Sequence, residues 1–167
     1  MNINANTIIN RNLYWKIREI INDQFSNWTV GTHYGILGSY PENAEDVMVY
    51  PTFVIDTSGF DGMPYELGAK DRVRIRTEFV VMSDNLAQRD MLNMFLWDQF
   101  HGKRFTLYDM STTEPSVAGD YSGLSTLGKF YSHNVNVINI PVPIKIDDKR
   151  LRYESTLFLD IECPNFN

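Results

Sequence analysis

Three histidines, one cysteine and a scatter of carboxylates are the side chains with which this chain could do chemistry. His33, His101 and His133 lie far apart along the chain. None has a second histidine three or four residues away, so the helical zinc pair is missing, and each reads as an exposed or hydrogen-bonded side chain. Asp56-Thr57-Ser58-Gly59-Phe60-Asp61 superficially suggests a calcium loop. That loop needs oxygen ligands at its first, third and fifth positions, glycine at the sixth and glutamate at the twelfth. Here the fifth is Phe60, the sixth Asp61 and the twelfth Leu67, so the template fails and a plain turn is expected. Gly59 and Gly62 build no phosphate loop, because no Gly-Lys-Ser/Thr follows and no helix starts there. Cys163 stands alone, which excludes an internal disulfide and a cysteine-based zinc cluster and leaves an inert small residue. Asn27-Trp28-Thr29 matches a glycosylation acceptor, a match with little meaning without a secretion signal. The residues therefore predict no catalytic group, no metal site and no cofactor: a protein that is not an enzyme.

One charged pattern stays open. Arg72, Arg74 and Arg76 alternate along a strand, and a solvated strand face is the plain reading. The sharper one is an intersubunit salt-bridge surface, or a patch that faces an acidic partner.

The elements that would carry these residues follow from periodicity. Over Thr7–Phe25 the residues Ile9, Leu13, Ile17, Ile20 and Ile21 fall on one stripe, which predicts an amphipathic helix capped by Thr7 or Asn10. Residues 26–46, with Gly31, Gly35, Gly38 and Pro41, read as a long loop. Val47–Asp56 is rich in β-branched and aromatic residues and predicts a strand. Pro51 inside it demands a bend, a bulge or an edge. Ser58, Gly59, Asp61, Gly62 and Pro64 signal a turn. Asp71–Ser83 then alternates, with Val73, Ile75, Phe79 and Val81 on one face and Arg72, Arg74, Arg76 and Glu78 on the other. A second helix is predicted over Asn85–His101, capped by Ser83, Asp84 or Asn85, with Gln88 placed as in a capping box and Gly102 as the stop. Lys103–Asp109 reads as a strand, residues 110–133 as a second long loop, and Asn134–Ile146 and Leu151–Glu162 as closing strands turned at Asp147-Asp148-Lys149. The expected order is helix, two strands, helix, three strands: a single α+β domain over residues 1–167, with an antiparallel or mixed sheet packed on two helices.

Composition bounds the class. Fifteen Lys and Arg against 21 Asp and Glu give a net charge of −6. That balance argues against phosphate-neutralising nucleic-acid binding and against a basic membrane-surface patch. Apolar residues make up 43% and aromatics 13%, enough to bury a core. No apolar run approaches the ~20 residues of a membrane span, and the polar, Asn-rich start lacks a signal core, so no membrane association and synthesis in a reducing cytosol are expected.

The second helix has more apolar residues than one face needs. Met91, Leu92, Phe95, Leu96 and Phe100 form the expected core arc, while Met94 and Trp97 point the other way beside Asp90 and His101. Such a helix is covered on its second side, either by a partner or by the loop 110–133 of its own chain. Strands of about a dozen residues would also cross the whole domain and offer edges to a neighbouring copy.

The middle of the chain carries a resemblance. Tyr50–Asp56 (YPTFVID), Tyr65–Gly68 (YELG), the strand RVRIRTEFVVMSDN, Gln88–Phe100 (QRDMLNMFLWDQF) and Phe105–Asp109 (FTLYD) together resemble the tail terminator, or tail-completion and neck, proteins of long-tailed bacteriophages. The pattern covers about residues 7–109, and the rest agrees by strand order; the loop 110–133 looks longer than the family's. The resemblance implies a homomeric ring, typically a hexamer, in the neck or tail of the virion. It implies assembly in the host bacterial cytoplasm, with the tail tube and head-connector proteins as partners and DNA passing through without sequence-specific binding. The surfaces available for such contacts are Met94, Trp97 and His101 and the stripe Arg72, Arg74 and Arg76. The alternative class is a β-rich module that binds a surface glycan or protein through Tyr34, Tyr40, Tyr121 and Tyr131.

Overall fold

A computed structural model describes residues 5–43, 47, 49–59, 72–145 and 151–164. The expected turn residues Asp61, Gly62 and Pro64, the motif Tyr65–Gly68 and the turn Asp147-Asp148-Lys149 lie outside them. So do the side chains of Arg72 and Val73.

Helix α1 spans Ala5–Gln24. Its stripe Ile9, Leu13, Ile17, Ile20 and Ile21 is buried, as the spacing predicts. The helix starts before Thr7, so Thr7 and Asn10 lie inside it and do not cap it. The strands are β1 (Gly35–Leu37), β2 (Thr52–Gly59), β3 (Arg72–Ser83), β4 (Lys103–Tyr108), β5 (Thr126–Asn139), β6 (Ile144–Lys145) and β7 (Leu151–Pro164), with helix α2 (Leu86–Phe100) between β3 and β4. They form one mixed sheet in the order β1-β2-β3-β7-β5-β4, with β6 on β7. Only the β1–β2 pairing among these described strands is parallel. The fold is α+β.

Both helices pack on one face of the sheet, α1 over β2 and β4 and α2 over β3, β7 and β5. Cross-strand register shows why. Ile75 opposite Ile161, Phe79 opposite Leu157 and Ile55 opposite Phe79 all point into the main core. The other face carries Arg74 opposite Glu162 and Arg76 opposite Asp160. One end of that face is also covered: Val54, Val80 and Met82 pack with Val47, Tyr50 and Leu37. Under this cover Arg152 Nε lies 2.6 Å from Glu154 Oε1, and Tyr40 donates to the same carboxylate at 2.8 Å.

Several boundaries differ from expectation. The strand predicted over Val47–Asp56 starts only after Pro51, because proline has no N–H for a ladder. It runs on to Gly59, so Ser58 and Gly59 belong to β2 rather than to a turn. The loop predicted over residues 26–46 contains the edge strand β1. The loop predicted over residues 110–133 ends at Ser125, because β5 begins at Thr126, eight residues before the predicted Asn134, and stops at Asn139. The shortened loop does not lie on α2. It straps α1: Arg11 donates to the Met110 carbonyl, Trp15 Nε1 to Glu114 at 3.0 Å and the Tyr121 hydroxyl to Glu19 at 2.8 Å.

Candidate functional site

Helix α2 is fixed at its start by side chains. Asn85 accepts from the Gln88 N–H, and Ser83 links the Asn85 N–H to the Gln88 carboxamide. That relay replaces the direct reach of a capping box. Gly102, at φ 66°, ends the helix in the left-handed region that glycine enters without strain.

The face that α2 buries differs from the apolar arc. Leu92, Leu96 and Phe100 are buried as expected, but so are Arg89 and Asn93, while Met91 is 45% exposed. Two polar residues win core positions because the sheet beneath offers them partners. Arg89 donates to the Glu154 carbonyl at 3.2 Å, and Ser155 Oγ donates to Asn93 Oδ1 at 2.5 Å. The helix is therefore rotated relative to the predicted arc, and its outward side holds Leu86, Met91, Met94 and Trp97.

Met94 is the most exposed of these at 68%. Trp97 is 37% exposed but anchored to its own chain: its Nε1 donates to the Val135 carbonyl at 3.1 Å. The His101 ring stacks on the indole at 4.5 Å, and its Nδ1 accepts the Val135 N–H at 3.3 Å. Two α2-side residues thus occupy the outer edge of β5 at Val135, as a neighbouring strand would. Beyond it β4 no longer runs alongside, because the β4–β5 register stops at Lys103 opposite Ser132. The exposed Val137 and Ile138 continue this edge. The exposed side of α2 thus carries Leu86, Met91, Met94 and Trp97 interspersed with the exposed Asp90 and Asp98, and Val137 lies beyond it on β5.

The arginine stripe sits elsewhere, on the sheet face opposite the helices. Arg74 lies 3.0 Å and Arg76 3.5 Å from Asp160 on β7. Arg76 keeps 58% of its side chain exposed, so this pair contributes little stability. His133 Nε2 is 2.7 Å from Glu162 on the same face, and His33 Nδ1 accepts the Thr29 N–H at 3.1 Å. Hence the six candidate positions form two groups: Met94 and Trp97 on α2 with His101 at its C-terminal cap, and Arg72, Arg74 and Arg76 on β3.

Among the described residues no group of three His, Cys, Asp or Glu side chains could hold a metal ion, and no helix is long and apolar enough to cross a membrane. Cys163 is buried beside the core, and that burial pushes its thiol up to about 12. The chain matches no protein-family model and no curated protein.

The four tyrosines of the binding-module reading do not form one surface. Tyr34 is fully buried against Trp28 and Phe53, and the Tyr40 hydroxyl is bound to Glu154. Tyr121 stacks on Tyr108 at 4.4 Å, and Tyr131 packs edge-on to His133.

Sequence reasoning missed Leu86, Val137 and Ile138 as parts of the α2 surface. A signal existed: Asn134–Asn139 (NVNVIN) is a β-prone run without a single charge, unusual for a strand with an open edge.

Proposed function

We propose that this protein is a structural subunit of a phage neck or tail. It assembles into a homomeric ring, hexameric as in the proteins it resembles, that ends the tail tube and joins it to the head connector. The observation that carries this reading is the outward side of α2, where Leu86, Met91, Met94 and Trp97 are exposed together next to an uncharged strand edge. Large apolar side chains clustered this way mark contact surfaces rather than solvent-facing ones. A ring needs a heterologous interface whose rotation closes, and the α2 surface supplies one half of such a contact. The net charge of −6 suits a lumen through which DNA slides, because like charge repels phosphate.

Met94→Glu tests the reading. The Met94 side chain is mostly in solvent, so the variant keeps the stability of the parent within about 0.5 kcal/mol by urea titration. Ring formation, read by native mass spectrometry with tail-tube and connector proteins present, is lost. Rings that form as before in the variant would remove α2 from the interface.

A further inference from the structure

The sheet has a second incompletely paired edge, on β4. At Tyr108 that edge is occupied by a side chain: Asn12 of α1 donates to the Tyr108 carbonyl at 2.9 Å and accepts the Tyr108 N–H at 2.9 Å. The carboxamide thereby makes the two hydrogen bonds that a peptide unit of an adjacent strand would make. On the inner side, the Asp109 N–H donates to the Ser125 carbonyl. Backbone groups of a strand alternate in direction, so those of Thr106 and Arg104 point outward with Tyr108. Neither has a hydrogen-bond partner on that side among the described residues.

These outward groups open into a cavity of about 410 Å³ between α1 and β4. It falls in the range of ~300–1,000 Å³ that encloses ligands. Its helix wall is Asn12, Lys16 and Glu19, and its roof includes Tyr121. Lys16 pairs with Glu19 at 2.7 Å, so the wall is close to neutral. Arg104 is the charged strand residue of its lining, and the exposed Lys103 and Lys129 flank it on β4 and β5 outside the lining, Lys129 standing opposite Thr106. None has an ion-pair partner among the described residues.

We infer that this groove receives an extended acidic segment of a partner polypeptide, which adds to β4 as a further strand. The N–H and C=O groups of Arg104 and Thr106 supply its main-chain hydrogen bonds, and Lys103, Arg104 and Lys129 select carboxylates. The site is separate from the α2 surface, so it stands or falls independently of the ring.

The probe is a short fluorescein-labelled peptide of alternating valine and aspartate, titrated with the full chain and read by anisotropy. Binding is expected, with slowed amide exchange at Arg104 and Thr106. The same peptide N-methylated at every residue, which cannot donate from either edge, binds at least about tenfold more weakly. Thr106→Pro removes the outward N–H while sparing the inner ladder, and lowers affinity about tenfold. Lys129→Glu lowers affinity and its salt dependence without touching the edge. No binding at millimolar peptide overturns the inference. So does equal binding of the N-methylated peptide, which would mean charge attraction alone. Self-association that disappears in Thr106→Pro would assign the edge to a second copy and also overturn it.

Discussion

Asn12 sits on the buried side of α1 among Ile8, Ile9 and Leu13, and its carboxamide also donates to the Ile8 carbonyl at 2.8 Å. Truncating it removes the protein partner of both backbone groups of Tyr108, beside the cavity that the two residues line. Asn12→Ala is expected to lower stability by about 2–4 kcal/mol, seen as a lower urea midpoint with an unchanged slope. A change near zero would show that water replaces the carboxamide. Tyr121 makes a different prediction. Burial, reinforced by its hydrogen bond to the Glu19 carboxylate, keeps its phenol protonated well above the ordinary value of 10.0. The unfolded chain gives up that proton near pH 10, and the folded chain holds it. The associated stability is therefore complete below pH 10 and is lost as pH rises beyond it. Tyr34 and Tyr40 are shifted the same way by burial. Tyr121→Phe should lose less stability than the parent between pH values below and above 10, by urea titration at each. An equal loss would mean that Tyr121 is not linked to the alkaline transition.

The elements were legible to different degrees, for physical reasons. Helix α2 was readable because Asn85 and Gly102 bound it chemically, and β3 because the charged residues Arg72, Arg74, Arg76 and Glu78 alternate with the residues of its core face. Asn85→Ala should cost about 1 kcal/mol of stability by losing the cap, and less if Ser83 takes over its role. The buried side of α2 was not readable. Its orientation is decided by Arg89 and Asn93, whose partners Glu154 and Ser155 lie more than sixty residues away. The same holds for Trp97, whose partial cover comes from β5 through Val135. Short β1 and the start of β5 were hidden in loops because pairing, rather than pattern, creates them: Gly35 donates to the Pro51 carbonyl, and Phe105 stands opposite Phe130. At the candidate surface, Met94 was visible in the sequence, while Leu86 and Met91 needed the helix rotation to be known.

Across the molecule, each helix closes the sheet edge nearest to it with a side chain, Asn12 at Tyr108 and Trp97 with His101 at Val135. Those caps cover single residues and leave longer edges beside them. A lone globule has no evident use for a 68% exposed Met94 beside a bare strand, whereas a subunit placed between neighbours does. Cryo-electron microscopy of the chain assembled with tail-tube and connector proteins decides this most directly. The expected density is a closed ring of identical subunits at the junction of tail and head, with Met94 of each subunit buried against the next. Single copies in every sample, or a ring in which the outward side of α2 faces solvent, would contradict it.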